Sequence, residues 1–264
     1  MLGKLRTNLR SLVPARYIVP IKNLLGIPPT RLHPDWAILQ SIGPVSQQHL
    51  VLDIGAHHGW FFHCWQDWCP AANVIAFEPF AESFKAMNAL YGADSRVKLI
   101  RAGVGSVAGN MGLNVLNESK VSNSFLRPAA QAWYDIAYKH GEVFRELVSV
   151  TTIDQVFEQE SLDSVYLMKV DVQGYEIEVL RGAERSLPKI DHIFVESGIQ
   201  RLYEGAPRFN DVFEYLTARD FHLMSMRSWH RGNQVLVETD MLFRRNDLAG
   251  GVDPEIDRIY EQNG

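Results

Sequence analysis

The apolar run Val51-Leu52 leads through Asp53-Ile54-Gly55-Ala56-His57-His58 to Gly59 and into a helical stretch, and no other passage constrains the fold as much. A strand that turns through glycines into a helix opens a nucleotide-binding βαβ unit. The spacing here, D-x-G-x-x-x-G, departs from G-x-G-x-x-G, in which close glycines let backbone approach a pyrophosphate. A carboxylate in place of the first glycine would repel phosphate. It could instead accept hydrogen bonds from, or pair with, an ammonium group. Asp53, Gly55, Ala56, His57 and Gly59 are therefore the candidate ligand contacts of this loop.

From Leu50 onward, short apolar runs alternate with helical patterns, the signature of βαβ units and a mostly parallel sheet. Strands are expected near 50–54, 73–78, 97–101, 165–171, 192–196, 220–226 and 235–243, with helices near 59–69, 80–91, 174–187 and 208–219. A shorter strand pair, near 111–116 and 146–151, flanks an insertion. Trp229 to Asn233 is a short connection, so the last two main strands should form an antiparallel hairpin. The fold class is α/β, a Rossmann-like sheet that is mostly parallel with a C-terminal antiparallel hairpin. Domain boundaries fall at 1–45, a basic helical extension; 46–246, the α/β domain; and 247–264, a solvated tail.

Three strands end in acids. Asp53 ends the first, Glu78-Pro79 the second and Asp171 a later one, all at the sheet edge where open α/β folds bind ligands. Glu78, about 20 residues past the glycine loop, can take both hydroxyls of a ribose; alone it would also suit a helix N-terminus. Phe77 or Phe80 could flank an adenine or pack in the core. Gly103-Val104 could let adenine lie against backbone or could simply form a turn. Glu176 and Glu178 suit the dipole of the helix that follows Asp171, or solvent. Glu196 ends the next strand, and with Asp171 it could orient an acceptor hydroxyl, bind a divalent metal or act as a base. None of the nine histidines shows the i, i+4 spacing of a zinc helix, so no residue is assigned as a metal ligand. His57 and His58 lie in the first loop, where either could contact ligand or start a helix, and His58 could serve as a base. A cationic ligand that has ribose and adenine but no phosphate describes S-adenosylmethionine.

Net charge of -5 argues against affinity for nucleic-acid backbone. Residues 1–34 nevertheless carry only cations, with Leu2, Leu5, Leu9, Leu12 and Val13 at helical spacing, which fits a helix packed on the domain or one lying on a membrane surface. No run is long and apolar enough to span a membrane, and no signal peptide is evident. With two cysteines, Cys64 and Cys69, expected as free thiols, the expected compartment is the cytoplasm.

The sequence resembles the FkbM-type methyltransferases, a branch of the S-adenosylmethionine-dependent class I fold, over about Leu50 to Arg244. The resemblance rests on VLDIGAHHGW, VIAFEPF, SNSFL at Ser122–Leu126, VTTIDQVF at Val150–Phe157, LMKVDVQGYEIEVLRGAE at Leu167–Glu184 and ESGIQRLYEG at Glu196–Gly205. His57 stands where an asparagine is common. The resemblance implies O-methylation of a hydroxyl on a sugar, glycan or secondary metabolite by in-line displacement, with Asp171 as first candidate base and His58 as second. Residues 117–146, with Trp133, Tyr134, Tyr138 and Phe144, would cover the acceptor or pack as core. Two other readings remain, a nicotinamide-dependent oxidoreductase, against which the missing G-x-G-x-x-G counts, and a noncatalytic binding protein of the same fold, against which the intact acids count.

Overall fold

The computed structural model describes residues 34–43, 48–116, 122–129, 143–231 and 235–248. The basic segment 1–33, the aromatic residues Trp133, Tyr134 and Tyr138, and the tail beyond 248 lie outside them.

Seven strands form the main sheet: β1 (His49–Ile54), β2 (Ala72–Phe77), β3 (Val97–Ile100), β7 (Val165–Val170), β8 (Ile190–Gly198), β9 (Phe221–Arg231) and β10 (Val235–Arg245), in the order β3-β2-β1-β7-β8-β10-β9. All pairings from β3 to β8 are parallel, and β10 runs antiparallel to both of its neighbours. This is the expected α/β architecture with its C-terminal hairpin. The strand order reverses between β1 and β7, which opens a crevice beyond their carboxyl ends.

Helices cover both faces. Alternation along β1 sends Leu52 and Ile54 to one side and Val51 and Asp53 to the other. The first side packs against α3 (Ile153–Gln159), α4 (Glu176–Arg181) and α5 (Phe209–Thr217). On the second side Phe61, Phe62 and Trp65 of α1 (Trp60–Trp68), Met87 of α2 (Ala81–Tyr91) and Leu39 of the short helix Pro34–Ile42 complete a separate core. Both layers bury side chains to near zero exposure, the main source of stability in such a fold.

A second sheet was expected only as a strand pair. Its members are β4 (Gly103–Val104), β5 (Gly109–Leu116) and β6 (Val143–Thr151), with β6 in the middle. Gly103-Val104 is thus a short strand parallel to β6 and not a bare turn. Helix α3 was not anticipated, although Thr152-Ile-Asp-Gln155 carries its start signal: the Thr152 hydroxyl accepts the Gln155 N–H at 3.1 Å. The helix expected over 174–187 stops at Arg181. A Cβ on Gly182 would lie 2.0 Å from the Gly105 carbonyl oxygen, so the two segments meet backbone to backbone there.

Candidate active site

Gly55, with φ 78°, begins the turn after β1, and its N–H and that of Ala56 both donate to the Phe77 carbonyl. A Cβ at Gly55 would sit 1.9 Å from the Asp171 carbonyl oxygen. The loop therefore crosses directly over the end of β7. Gly59, φ 79°, precedes α1 and has the Phe62 and Tyr91 rings where a side chain would go.

The cleft above this crossing is lined by Gly55, His57, Glu78, Pro79, Gly103, Val104, Phe125, Asp171 and Gln173, among others. The sequence candidates thus divide. Gly55, His57, Glu78, Pro79, Gly103, Val104 and Asp171 come together on the cleft wall, with Phe77 behind them. Asp53, Ala56, His58 and Gly59 are absent from it. Phe80 packs instead with Leu113, Val115 and Val148 under the small sheet.

Asp53 is fully buried, and its Oδ1 lies 3.1 Å from Nζ of Lys169, which stands opposite it in the β1–β7 register. The same ammonium is 2.8 Å from the Gly55 carbonyl, to which it donates, and 3.5 Å from Oδ2 of Asp171. Burial opposes the charge on Lys169, but Asp53 and Asp171 outweigh burial and hold its pKa raised. Lys169 therefore does within the protein what a ligand ammonium was expected to do at Asp53. Sequence reasoning passed over it, although a lysine inside the apolar run Tyr166-Leu-Met-Lys-Val170 needs a counter-charge on a neighbouring strand.

Asp171 keeps 37% side-chain exposure, toward the cleft. Burial opposes its ionisation, yet the Lys169 ammonium and hydrogen bonds from Glu196 and Gln173 hold its carboxyl below the usual range. Glu196 shows the reverse behaviour. Burial, then the charges of Asp171 and Glu238, push its pKa well up. Nε2 of Gln173 donates to Asp171 Oδ1 at 3.0 Å and to Glu196 Oε2 at 2.9 Å. That amide fills the place a bridging cation would need. Among the described residues no cluster of His, Cys, Asp and Glu is arranged to hold a metal.

Glu78 is buried at the other end. Its Oε2 accepts the His57 N–H and its Oε1 the Phe80 N–H, each at 2.8 Å, and burial pushes its pKa up to about 7. His57 has φ 51° and a ring 3.8 Å from that of His58. Burial, then the neighbouring His58, lowers its pKa to about 4, so it is neutral at physiological pH. Its Nε2 is buried without a hydrogen-bond partner. Glu176, expected at a helix dipole or in solvent, is buried with Oε1 accepting the Gly174 N–H at 2.8 Å. Glu178 takes the Ser106 hydroxyl and pairs with Arg181.

The segment Ser122–Ala129 closes the cleft on the side of the small sheet. Asn114 Nδ2 donates to the carbonyls of Ser124, Phe125 and Leu126. Ser124 Oγ donates to the Gln173 carbonyl at 2.7 Å, and the Phe125 ring lies where a Gly103 side chain would be. Tyr203 donates from its hydroxyl to Ser122 O and Gln173 Oε1. The Ser124 hydroxyl is thus spent on positioning Gln173. Phe144 is 45% exposed on β6. No helix among the described residues is long and apolar enough to cross a membrane.

The chain is similar to three known proteins. The chain is 26% identical over 207 residues to the 2-O-methyltransferase NoeI of Sinorhizobium fredii (strain NBRC 101917 / NGR234), covering 75% of this chain and 80% of that protein. It is 23% identical over 208 residues to the methyltransferase sdnD of Sordaria araneosa, covering 64% and 80%. A crystal structure of an rRNA methylase from Streptococcus thermophilus aligns over 82% of this chain and 99% of that one, at 9% identity and a TM-score of 0.46. Residues 53–223 match the Methyltransferase FkbM domain. With its strand-end acids and glycine crossing inside that span, the chain belongs to the FkbM family of methyltransferases.

Proposed function

We propose that the protein is an S-adenosylmethionine-dependent O-methyltransferase whose acceptor is a hydroxyl of a small molecule or glycan. The observation that carries this reading is the polarity of one cleft, with Glu78 at one end, the charged Asp171 at the other, and backbone floor between them. Glu78 has each oxygen fixed by one backbone N–H, which leaves lone pairs for two ribose hydroxyls. Gly103 and Val104 offer a flat backbone wall for adenine, and the unpartnered Nε2 of His57 offers a hydrogen bond. These features suit the cofactor: a polyhydroxyl end, a planar base and a charged end near carboxylates.

When bound, S-adenosylmethionine supplies an electrophilic methyl group on a sulfonium. The protein's contribution is to hold the acceptor oxygen in line and accept its proton. Alignment of this kind supplies about 7 to 11 kcal/mol of rate acceleration in well-oriented systems. Asp171 Oδ2 takes the hydroxyl proton as the oxygen bonds to carbon. A carboxylate held below its usual pKa is a weak base, and a weak base suffices, because an alkylated hydroxyl is strongly acidic before it loses its proton. Glu196 lies off the cleft wall. His58 lies off the cleft wall, which favours Asp171. Lys169, held in place by Asp53, acts beneath the site by keeping Asp171 charged. O-methylation is supported by NoeI, a 2-O-methyltransferase.

Calorimetry with S-adenosylmethionine, S-adenosylhomocysteine and NAD tests the cofactor, and a labelled methyl donor with a panel of hydroxylated acceptors tests the reaction. Binding of NAD alone would end the methyltransferase reading.

A further inference from the structure

Gln173, two residues past Asp171, stands on the cleft wall with a φ of 56°. Glycine adopts that left-handed conformation freely, and other residues adopt it at a cost. Such strain persists where the surroundings over-determine it, most often at functional sites. What glutamine brings here that glycine would not is a side-chain amide.

Both polar atoms of that amide are engaged. Nε2 donates to Asp171 Oδ1 at 3.0 Å and to Glu196 Oε2 at 2.9 Å, while Oε1 accepts from the Tyr203 hydroxyl at 2.9 Å. Carboxyl oxygens call for a donor and the Tyr203 O–H for an acceptor, so the partners select this orientation of the amide. Behind it, the Gln173 carbonyl accepts from Ser124 Oγ at 2.7 Å. The segments that carry Ser124 and Tyr203 are themselves joined: Pro128 pairs with Tyr203, Ala129 N–H donates to the Leu202 carbonyl, and Glu204 N–H donates to that of Arg127. Gln173 is thus clasped at its backbone and at the far end of its side chain. At Asp171 it takes Oδ1, and the Lys169 ammonium lies 3.5 Å from Oδ2. Rotation of an aspartate carboxylate is soft by itself. A donor on each oxygen fixes its plane.

We propose that Gln173 is a positioning residue for methyl transfer: clasped by Ser124 and Tyr203, its amide fixes the Asp171 carboxylate so that Oδ2 is left to the acceptor. The inference rests on the reading of Asp171 as the base. Charge explains why an amide serves here. Asp171 is faced by Lys169 from its own strand, Asp53 from β1, Glu196 from β8, Glu176 from α4, His57 from the first loop, and Tyr203. One cation thus stands among three other carboxyl groups. A glutamate at position 173 would add a fourth and draw a proton onto Asp171, whereas the amide supports the charged base without adding repulsion.

The test is a pH titration of the full chain by carbon-13 NMR, with the aspartate carboxyl carbons labelled and the Asp171 signal assigned as the one missing from Asp171→Asn. In Gln173→Met, which keeps side-chain length and loses the donor, the proton affinity of Asp171 should rise at least about tenfold, the worth of one hydrogen bond to a charged group. In Gln173→Glu it should rise further. Tyr203→Phe releases the amide and should raise the affinity by a smaller factor. Added to Gln173→Met it should change nothing more, because its effect passes through Gln173. A merely structural Gln173 would lower the melting temperature of its variants and leave the Asp171 titration where it was. The proposal is wrong if Asp171 titrates alike in the unaltered chain and in Gln173→Met, if Gln173→Glu titrates below Gln173→Met, or if Tyr203→Phe acts equally with and without Gln173. Should Gln173→Met fail to fold, Gln173→Glu and Tyr203→Phe carry the comparison with the unaltered chain, and no rise in either overturns the proposal. Calorimetry with S-adenosylhomocysteine on the unaltered chain is read separately: absence of binding would overturn the cofactor reading, whereas the titrations report on Gln173 alone.

Discussion

Lys169 Nζ stands 3.1 Å from Asp53 Oδ1, with both side chains shut away from solvent beneath α1. The pair joins β1 and β7 at the point where the strand order reverses. The Phe61 ring lies 5.7 Å from the same ammonium, so one face of the charge meets an aromatic surface and the other meets carboxylates and carbonyls. Through Lys169 the first strand-end acid is connected to the third.

Lys169→Met should cost about 3–5 kcal/mol of folding stability, because it strands Asp53 as an uncompensated buried charge. Asp53→Leu combined with Lys169→Met should recover most of that loss, since an apolar pair of similar volume needs no counter-charge. Urea denaturation of the two variants beside the unaltered protein measures both effects. An unchanged midpoint for the single variant would show that the pair contributes nothing.

The pH dependence of cofactor binding should follow Glu78. Burial raises its pKa from the ordinary 4.5 to about 7 in the free protein. The folded chain therefore holds a proton there that the unfolded chain has released. The sign follows: Glu78 contributes stability that is fully present below its ordinary pKa and is lost as pH rises through about 7. Ribose hydroxyls donate to the ionised carboxylate, so binding favours its deprotonated form. Affinity for S-adenosylhomocysteine should rise several-fold between about pH 6 and 8, by at most tenfold per unit, with proton release near neutrality. In Glu78→Gln the titration should be flat and the binding weaker. Calorimetry in buffers of differing ionisation enthalpy reads the proton directly.

Much of this arrangement was legible in the chain, for physical reasons. Parallel strands buried on both faces read as continuous apolar runs, and acids that end them stand out, as Asp53, Glu78 and Asp171 do. What a run does not reveal is which acid faces ligand and which faces protein. Asp53 was expected to meet a ligand's ammonium; its side chain points under α1 to Lys169, a partner more than a hundred residues away in sequence. Helix α4 was expected to be longer because its periodicity continues past Arg181, whereas the contact of Gly182 with Gly105 depends on tertiary packing. Gln173 was overlooked because nothing local marks an amide as a bridge between two carboxyls. It has a φ of 56°, and the hydrogen bond from Ser124 to its carbonyl exists only once the segment Ser122–Ala129 has docked.

Asp171→Asn should separate chemistry from cofactor binding. The amide keeps an oxygen for Gln173 but loses both the basic site and the charge that Lys169 compensates. Turnover should fall by roughly 10²–10⁴, the usual worth of a positioned base, while affinity for S-adenosylhomocysteine changes little. Single-turnover transfer of a labelled methyl group and calorimetry give the two numbers. Full turnover in the variant would remove Asp171 as the base and leave alignment alone to drive the reaction.

The glycine crossing gives the sharpest comparison, because two glycines with similar backbone angles differ in what surrounds them. Gly55 has φ 78° and Gly205 φ 73°, so alanine at either carries a left-handed penalty of about 1–2 kcal/mol. At Gly205 nothing lies within 4 Å of the added Cβ, whereas at Gly55 it would fall 1.9 Å from the Asp171 carbonyl oxygen. Gly205→Ala should therefore cost the backbone penalty alone and leave cofactor affinity intact. Gly55→Ala must push the loop off β7, moving the backbone N–H of His57 away from Glu78 and the Gly55 carbonyl away from Lys169. The loss should exceed that of Gly205→Ala by more than about 2 kcal/mol, in the range where overpacking against rigid backbone falls, and binding of S-adenosylhomocysteine should drop below detection in protein that still folds. Thermal melts and calorimetry on the two variants decide the matter. Equal stability of the pair would mean that the loop tolerates a displacement from β7 and that the crossing does not define the floor of the cleft.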